Sequence, residues 1–327
     1  MSVRNTLAAM AALFTAALTV AMPAESIAQT YPTRPIRVIV PFAPGGGTDI
    51  LARILAPKLS DGLGQQIVID NRPGGSSIIG TELVVKSPPD GYTLLAVDTS
   101  FSVNPSLHAK LPYDSFKDLA PVAHLASAPV LLVVHPSVPA NTLKELVALA
   151  KAKPGSLAYA SGGNGASTHL AGELFTMTAG VDIVHVPYKG TGPAIADVVA
   201  GQVQMNFAGI SSARQFVDSG RLRALAVTGD KRNAAMPDVP TFAEAGYPGI
   251  DAGTNWGMFA PAGTPRDIIA KLNAEVNRVL QLADVKSRVA ELGYDVGGGS
   301  PEDWGARARA EAEKWGKVVK QAGIKID

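Results

Sequence analysis

The chain of 327 residues contains no cysteine. That excludes a disulfide framework, a thiolate nucleophile and a lipid-bearing cysteine behind a leader. Surplus charge is equally scarce: 29 Lys and Arg stand against 28 Asp and Glu, a net charge of +1. Such a balance argues against a general binder of nucleic acid or of an anionic membrane surface, so attraction for any anion must be local. The five histidines, at 108, 124, 135, 169 and 185, form no His-Glu-x-x-His or other metal-spaced pair, and neither a metal nor a cofactor is expected. Also missing are a Gly-x-Ser-x-Gly nucleophile turn, a phosphate loop ending in Gly-Lys-Ser/Thr, and a complete Gly-x-Gly-x-x-Gly. The catalytic inventory is poor.

What is present begins at the N-terminus. Arg4 precedes an uncharged apolar run from Leu7 to Val20, shorter than the roughly 20 residues of a comfortable membrane span. Ser26 and Ala28 occupy the small-residue positions of a cleavage site before Gln29, so residues 1–28 read as a signal peptide and the mature chain as extracytoplasmic. The rival reading is an uncleaved anchor. No later stretch is long and apolar enough to span, so no membrane insertion is expected after cleavage.

Short aliphatic runs then alternate with helical patterns. The strands read as Ile36 to Val40, Gln66 to Ile69, Thr93 to Val97, Val130 to Val134 and Leu222 to Val227. Lacking polar alternation, they match parallel strands covered on both faces, and the fold class is α/β, mostly parallel sheets flanked by helices. Between them, Leu143, Leu146, Val147 and Ala150, and again Ile268, Ile269, Leu272, Val276 and Val279, recur at helical spacing. The length suits two lobes joined by extended crossovers, with crossings expected at 129–135 and 254–261. Lobe 1 would be discontinuous, residues 29–130 plus 255–327, with lobe 2 at 131–254.

One pattern occurs twice: strand, glycine-rich turn with small hydroxyls, helix. The first turn runs from Pro41 to Asp49 and includes Phe42, Gly46, Gly47 and Thr48; the second is Ser161, Gly162, Gly163, Asn164, Gly165, Ala166, Ser167, Thr168 and His169. A turn of this kind opening a helix brings unpaired backbone N–H groups close to an anion, and the helix dipole favours the negative charge. Two such turns predict two anion-facing jaws. Thr48, Ser167 and Thr168 can donate to a ligand or cap their helices. A carboxylate aimed at a bound carboxylate would repel it, so Asp49 either orients its loop or meets a hydroxyl or cationic part of the ligand. Phe42 is expected as sheet packing or an apolar wall, His169 as a packing residue or a neighbour of the cleft, and the turn Tyr188, Lys189, Gly190, Thr191, Gly192 as a candidate for the cleft mouth, with Lys189 itself read as a surface charge.

Segments along the whole mature chain resemble the substrate receptors of tripartite tricarboxylate transporters, the Bordetella uptake gene family. They include Tyr31-Pro32-Thr33-Arg34-Pro35-Ile36, the loop from Pro41 to Asp49, Asn71-Arg72-Pro73-Gly74, Asp90-Gly91-Tyr92-Thr93-Leu94, Leu111-Pro112-Tyr113-Asp114, Val186-Pro187-Tyr188-Lys189-Gly190 and Phe259-Ala260-Pro261-Ala262-Gly263-Thr264-Pro265. The resemblance implies a monomeric, periplasmic, two-lobed binding protein of the type II kind, which closes on a small organic carboxylate and presents it to the membrane permease subunits of a tripartite transporter. It also implies that the two glycine loops hold that carboxylate, largely through backbone amides and small hydroxyls. The chain departs from the family pattern at Ser76-Ser77, at Asp98-Thr99-Ser100 and at Ala208-Gly209. The same closing fold would also serve a ligand sensor, and a carboxylate-processing enzyme is the remaining alternative.

Overall fold

Alternating apolar and helical segments become ten strands and ten helices among the described residues of the computed structural model, which cover 31–188 and 190–324. The leader expected at residues 1–28 lies outside them. Residues 1–33 cluster as a unit of their own and residues 34–327 as another, and the following concerns the latter. In chain order these are β1 (Ile36–Val40), α1 (Gly47–Leu63), β2 (Ile67–Asn71), α2 (Ile78–Val85), β3 (Thr93–Val97), α3 (Ser100–Leu107), β4 (Leu119–Val134), α4 (Leu143–Ala152), β5 (Ala158–Ser161), α5 (Ser167–Ala179), β6 (Val184–Pro187), α6 (Thr191–Val199), β7 (Met205–Gly209), α7 (Ile210–Asp218), β8 (Arg223–Val227), β9 (Gly253–Pro261), α8 (Arg266–Leu280), α9 (Ala283–Glu291), β10 (Asp295–Val296) and α10 (Pro301–Ala322). No described helix is long and apolar enough to cross a membrane.

The sheet order is β2-β1-β3-β9-β4-β7-β5-β6, with β8 and β10 paired to β4. Its flanks are parallel, as the buried aliphatic runs predict: β1 with β2 and β3, and β5 with β6 and β7. The centre is not. Between β3 and β7 lie three successive antiparallel pairings, through β9 and β4. The run from Val130 to Val134, read from its apolar character as a parallel strand, is the end of a 16-residue strand antiparallel to every neighbour. An all-apolar strand reports burial on both faces and carries no direction.

That register fixes where the site lies. β9 pairs with β4 from Leu119 to Pro129, and β7 pairs with it from Val130 to Val134. Three reversals turn β7, β5 and β6 against β1 and β3. The carboxyl end of β3, at Val97, sits beside Gly257 of β9, which faces His124; the carboxyl end of β7, Gly209, sits beside Val130. Both parallel sets therefore point their carboxyl ends at the same short stretch of β4. Ligand sites of open α/β sheets lie beyond such ends.

Separate apolar cores support the two halves. Ile39, Leu95, Val97, Phe101, Phe259 and Trp304 form one. Leu132, Val134, Tyr159, Phe175, Phe207 and Trp315 lie in another. Helix α10 contributes to both through Trp304 and Trp315, and it starts on a capping box in which Ser300 and Asp303 each accept the other's backbone N–H. At β9 the sheet leaves no room for a side chain opposite this helix. A Cβ on Gly257 would stand 2.0 Å from the Trp304 indole. His124 stacks on the same indole with ring centroids 5.1 Å apart.

Two outcomes follow from this cluster. Gly257→Ala should lower stability by about 1–3 kcal/mol through overpacking, read as a lower urea midpoint. Burial, helped by the nearby Arg307 charge, lowers the His124 pKa to about 4. Because the unfolded chain takes up a proton below the ordinary value near 6.5, the stability gained by keeping His124 neutral is complete above pH 6.5 and is lost as pH falls toward 4. The decline in Tm across that window should be shallower in His124→Gln than in the wild type.

Candidate functional site

Five times in this fold a strand runs into a helix at one place. The turns after β1, β3, β5, β6 and β7 lead into α1, α3, α5, α6 and α7, and residues from all five junctions line one cavity of about 240 Å³. Gly47 and Thr48 come from α1; Asp98, Thr99 and Ser100 precede and open α3; Gly162 and Gly165 to Thr168 open α5. Gly190 and Thr191 open α6, and Gly209, Ser211 and Ser212 open α7. The first N–H groups of a helix have no partner within it, though at α3 those of Ser100, Phe101 and Ser102 already donate to Asp98 and Thr99. Each such end favours a nearby anion by about 0.3–2 kcal/mol. Trp256, Tyr294 and the β4 stretch from Ala128 to Val130 complete the wall.

Strand β9 ties the two glycine loops to the sheet. Trp256 Nε1 donates to Thr48 Oγ1 at 3.1 Å, and Ser167 Oγ lies 2.7 Å from Thr254 Oγ1. Thr254 and Trp256 are two residues apart, hence on one face of the strand. One face of β9 thus touches a hydroxyl from each loop. Gly47 admits this approach: a Cβ there would lie 3.0 Å from both the Trp256 ring and the Tyr294 hydroxyl.

Of the residues expected at the site, Gly47, Thr48, Gly162, Gly165, Ala166, Ser167 and Thr168 line the cavity, and Phe42, Gly46, Asp49, Ser161 and His169 stand behind it. Phe42 packs against the core of the β1–β3 half. Asp49 is 2% exposed and accepts from Gly45 N–H, Arg53 and the Asn71 amide, which is the loop-orienting alternative. Burial pushes its pKa up, but the hydrogen bonds from Arg53, Gly45 and Asn71 outweigh burial and hold it below the ordinary value. Gly46 caps α1, and its carbonyl accepts from Ile50 N–H.

Ser161 and His169 belong to a buried network under the second loop. Ser161 Oγ accepts from Gly163 N–H and lies 2.7 Å from His185 Nε2, while the His169 and His185 rings stack at 3.8 Å. Gly165 N–H donates to His169 Nδ1, which makes that nitrogen an acceptor; in the neutral ring the proton then sits on Nε2, 3.6 Å from Glu173 Oε1. Tyr159 also donates to Glu173 at 2.6 Å. Burial and the neighbouring His169 lower the His185 pKa to about 4. Gly162 N–H goes to Thr168 Oγ1. The amides of Gly162, Gly163 and Gly165 are therefore spent inside the loop, leaving the first turn of α5 to face the cavity.

The junctions at α3 and α7 carry no glycine run, whereas the turn into α6, with Gly190 and Gly192, is the one that reads from the sequence as a candidate for the cleft mouth, and Gly190 and Thr191 do line the cavity. Asp98 and Gly209 belong to segments that depart from the family pattern, and both line the cavity. Tyr188 donates to Asp197, and the Lys189 side chain lies outside the described residues. A larger cavity of about 680 Å³ shares Ala128, Pro129 and Thr254 with the first, but its wall includes Asp230, Lys231, Arg307 and Glu311 and none of the glycine-loop residues. The smaller cavity is the candidate site because the helix ends converge there. Among the described residues, no group of His, Asp or Glu could hold a metal ion.

A family model described as the tripartite tricarboxylate transporter family receptor matches residues 51–324. The chain is 39% identical over 322 residues to the protein BugT of Bordetella pertussis, with 98% of each chain covered. Among solved structures, Rpa4515 of R. palustris with adipate aligns at a TM-score of 0.82 and 38% identity, covering 90% of this chain and 99% of that one. MatC (Rpa3494) from Rhodopseudomonas palustris with bound malate aligns at 0.78 and 35%, covering 88% and 100%. The chain belongs to the tripartite tricarboxylate transporter receptor family, a family of periplasmic solute-binding proteins.

Proposed function

We propose that this protein captures a small organic carboxylate in the 240 Å³ cavity and delivers it unchanged to the permease subunits of a tripartite transporter. The observation that carries the reading is the convergence of five helix N-termini on one cavity whose described lining holds no cation. Such a site holds an anion by N–H groups and hydroxyls. Charged hydrogen bonds contribute about 1.5–3 kcal/mol each, so several suffice for the roughly 8 kcal/mol of micromolar affinity once ordering costs are met. The adipate and malate of the two solved relatives fit the same class.

In this reading the chain is a monomer exported by residues 1–28. Its lobes, 29–130 with 255–327 and 131–254, close about β4 and β9, excluding water and strengthening the hydrogen bonds inside. The ligand-facing groups are the hydroxyls of Thr48, Ser167 and Thr191 and the first-turn amides of α1 and α5. Phe42, Gly46, Asp49, Ser161 and His169 hold the loops in place.

A thermal-shift screen of the mature chain against aliphatic and aromatic mono-, di- and tricarboxylates, amino acids and phosphate tests the proposal. One carboxylate set, at a hundredfold excess over its Kd, should raise Tm by roughly 4 °C and be recovered unaltered. No rise with any carboxylate, or recovery of a converted compound, would overturn it. Thr48→Ala combined with Ser167→Ala should weaken calorimetric affinity tenfold or more. Its Tm should fall by only roughly 2–6 °C, from the Trp256 N–H left without its acceptor. Unchanged affinity would remove both hydroxyls from the site and leave the amides.

A further inference from the structure

The cavity that suits an anion contains one carboxyl group of its own. Asp98 lies between the end of β3 and the start of α3 and lines the cavity together with Thr99 and Ser100. Its position is held from behind. Asp98 Oδ1 accepts from Ser100 N–H at 2.9 Å, Ser100 Oγ lies 2.9 Å from Ser77 Oγ, and Ser77 Oγ accepts from the buried Asn104 amide at 3.2 Å. Ser77 holds this contact from a left-handed backbone conformation, φ 78°, which is unusual for a residue other than glycine.

The groups facing Asp98 across the cavity are neutral. They are Thr48 of α1, Ser167 and Thr168 of α5, Thr191 of α6, Ser211 and Ser212 of α7, and Thr254 and Trp256 of β9. The other ionisable group of the described lining is Tyr294, a phenol whose pKa burial raises further. An arriving carboxylate thus shares a small space with a second carboxylate and with no described cation. Two carboxylates so placed do not both stay ionised; one takes up a proton, as in paired acidic sites.

Resting on the carboxylate reading above, we propose that Asp98 makes ligand binding proton-linked: the complex holds one proton more than free protein and free ligand, shared between the Asp98 carboxyl and a carboxylate of the ligand. The proton comes from solvent, and no covalent bond changes. Burial already pushes the Asp98 carboxyl above its ordinary pKa, which favours the proton's residence there. Asp98 is then a specificity-determining residue. It favours ligands whose carboxylate reaches α3 and accepts a hydrogen bond from it.

The test is calorimetric titration of the mature wild-type chain with malate, adipate, citrate, benzoate and glutamate at pH 5, 6, 7 and 8, each in two buffers of different ionisation enthalpy. For the compounds that bind, affinity should fall by up to tenfold per pH unit between pH 6 and 8, with uptake approaching one proton per ligand. Asp98→Asn keeps the Oδ1 acceptor for Ser100 and offers an N–H at every pH. It should bind the same compounds with a flat pH profile and no proton uptake. A wild type that binds with a flat profile, or an Asp98→Asn variant that keeps the wild-type slope, would overturn the proposal. So would binding confined to glutamate and lost in Asp98→Asn, which would make Asp98 an acceptor for an ammonium group. Should Asp98→Asn fail to fold, the wild-type proton count alone decides. No heat with any of the five at any pH, joined to a flat thermal-shift screen, would instead remove the carboxylate reading itself.

Discussion

The antiparallel pairing of β4 with β9 is the constraint on which the rest of the structure depends. It joins two parallel sheet halves, and because antiparallel pairings separate β3 from β7 three times in succession, it sets the halves against each other. Helix dipoles that would otherwise diverge to opposite edges of the molecule meet at one place. The register then chooses that place along β4, at Ala128 to Val130, where β9 ends its pairing and β7 begins its own. The loops are positioned by the same strand, since Thr254 and Trp256 of β9 reach Ser167 and Thr48.

Around the cavity, polar groups divide their work according to burial. The deeply buried Asp49 and Ser161 are committed to partners in the protein: Asp49 to Arg53, Asn71 and Gly45, and Ser161 to His185 and Gly163. A buried polar group without a partner is costly, so these bonds fix the loops in one conformation. In the proposed reading, what remains for a ligand is the first turn of the helices other than α3, whose leading amides already donate to Asp98 and Thr99, and a set of short hydroxyls. Such donors hold negative charge without adding a positive charge of their own. That distinguishes the site from an arginine clamp, which holds planar acids by charge and bidentate geometry.

Much of this was legible in the sequence, for definite reasons. The aliphatic runs fell where strands lie, because a strand buried on both faces must be apolar at nearly every position. The two glycine turns were visible because close approach to backbone amides needs residues without a Cβ, and Gly47, with 3.0 Å to the Trp256 ring, is such a place. The matching family segments carried the class of protein. Two of the five helix ends are hidden in the sequence, because the junctions after β3 and β7 are short turns with no repeated signature, and the end after β6 shows only as a glycine-bearing turn. Nor does any local pattern at His169 tell that its Nδ1 serves the loop amide of Gly165, since the partner that sets its role is a matter of loop closure.

The sequence by itself determined the α/β alternation, the balanced charge, the thiol-free chemistry and the two glycine-rich turns, because each is written in residues near one another. The tertiary structure decided the direction of β4, the meeting of five helix ends rather than two, and the placement of Asp98 within the same cavity. Direction and convergence depend on pairings between strands as far apart in the chain as β4 and β9, and no local preference of an apolar run distinguishes a parallel neighbour from an antiparallel one.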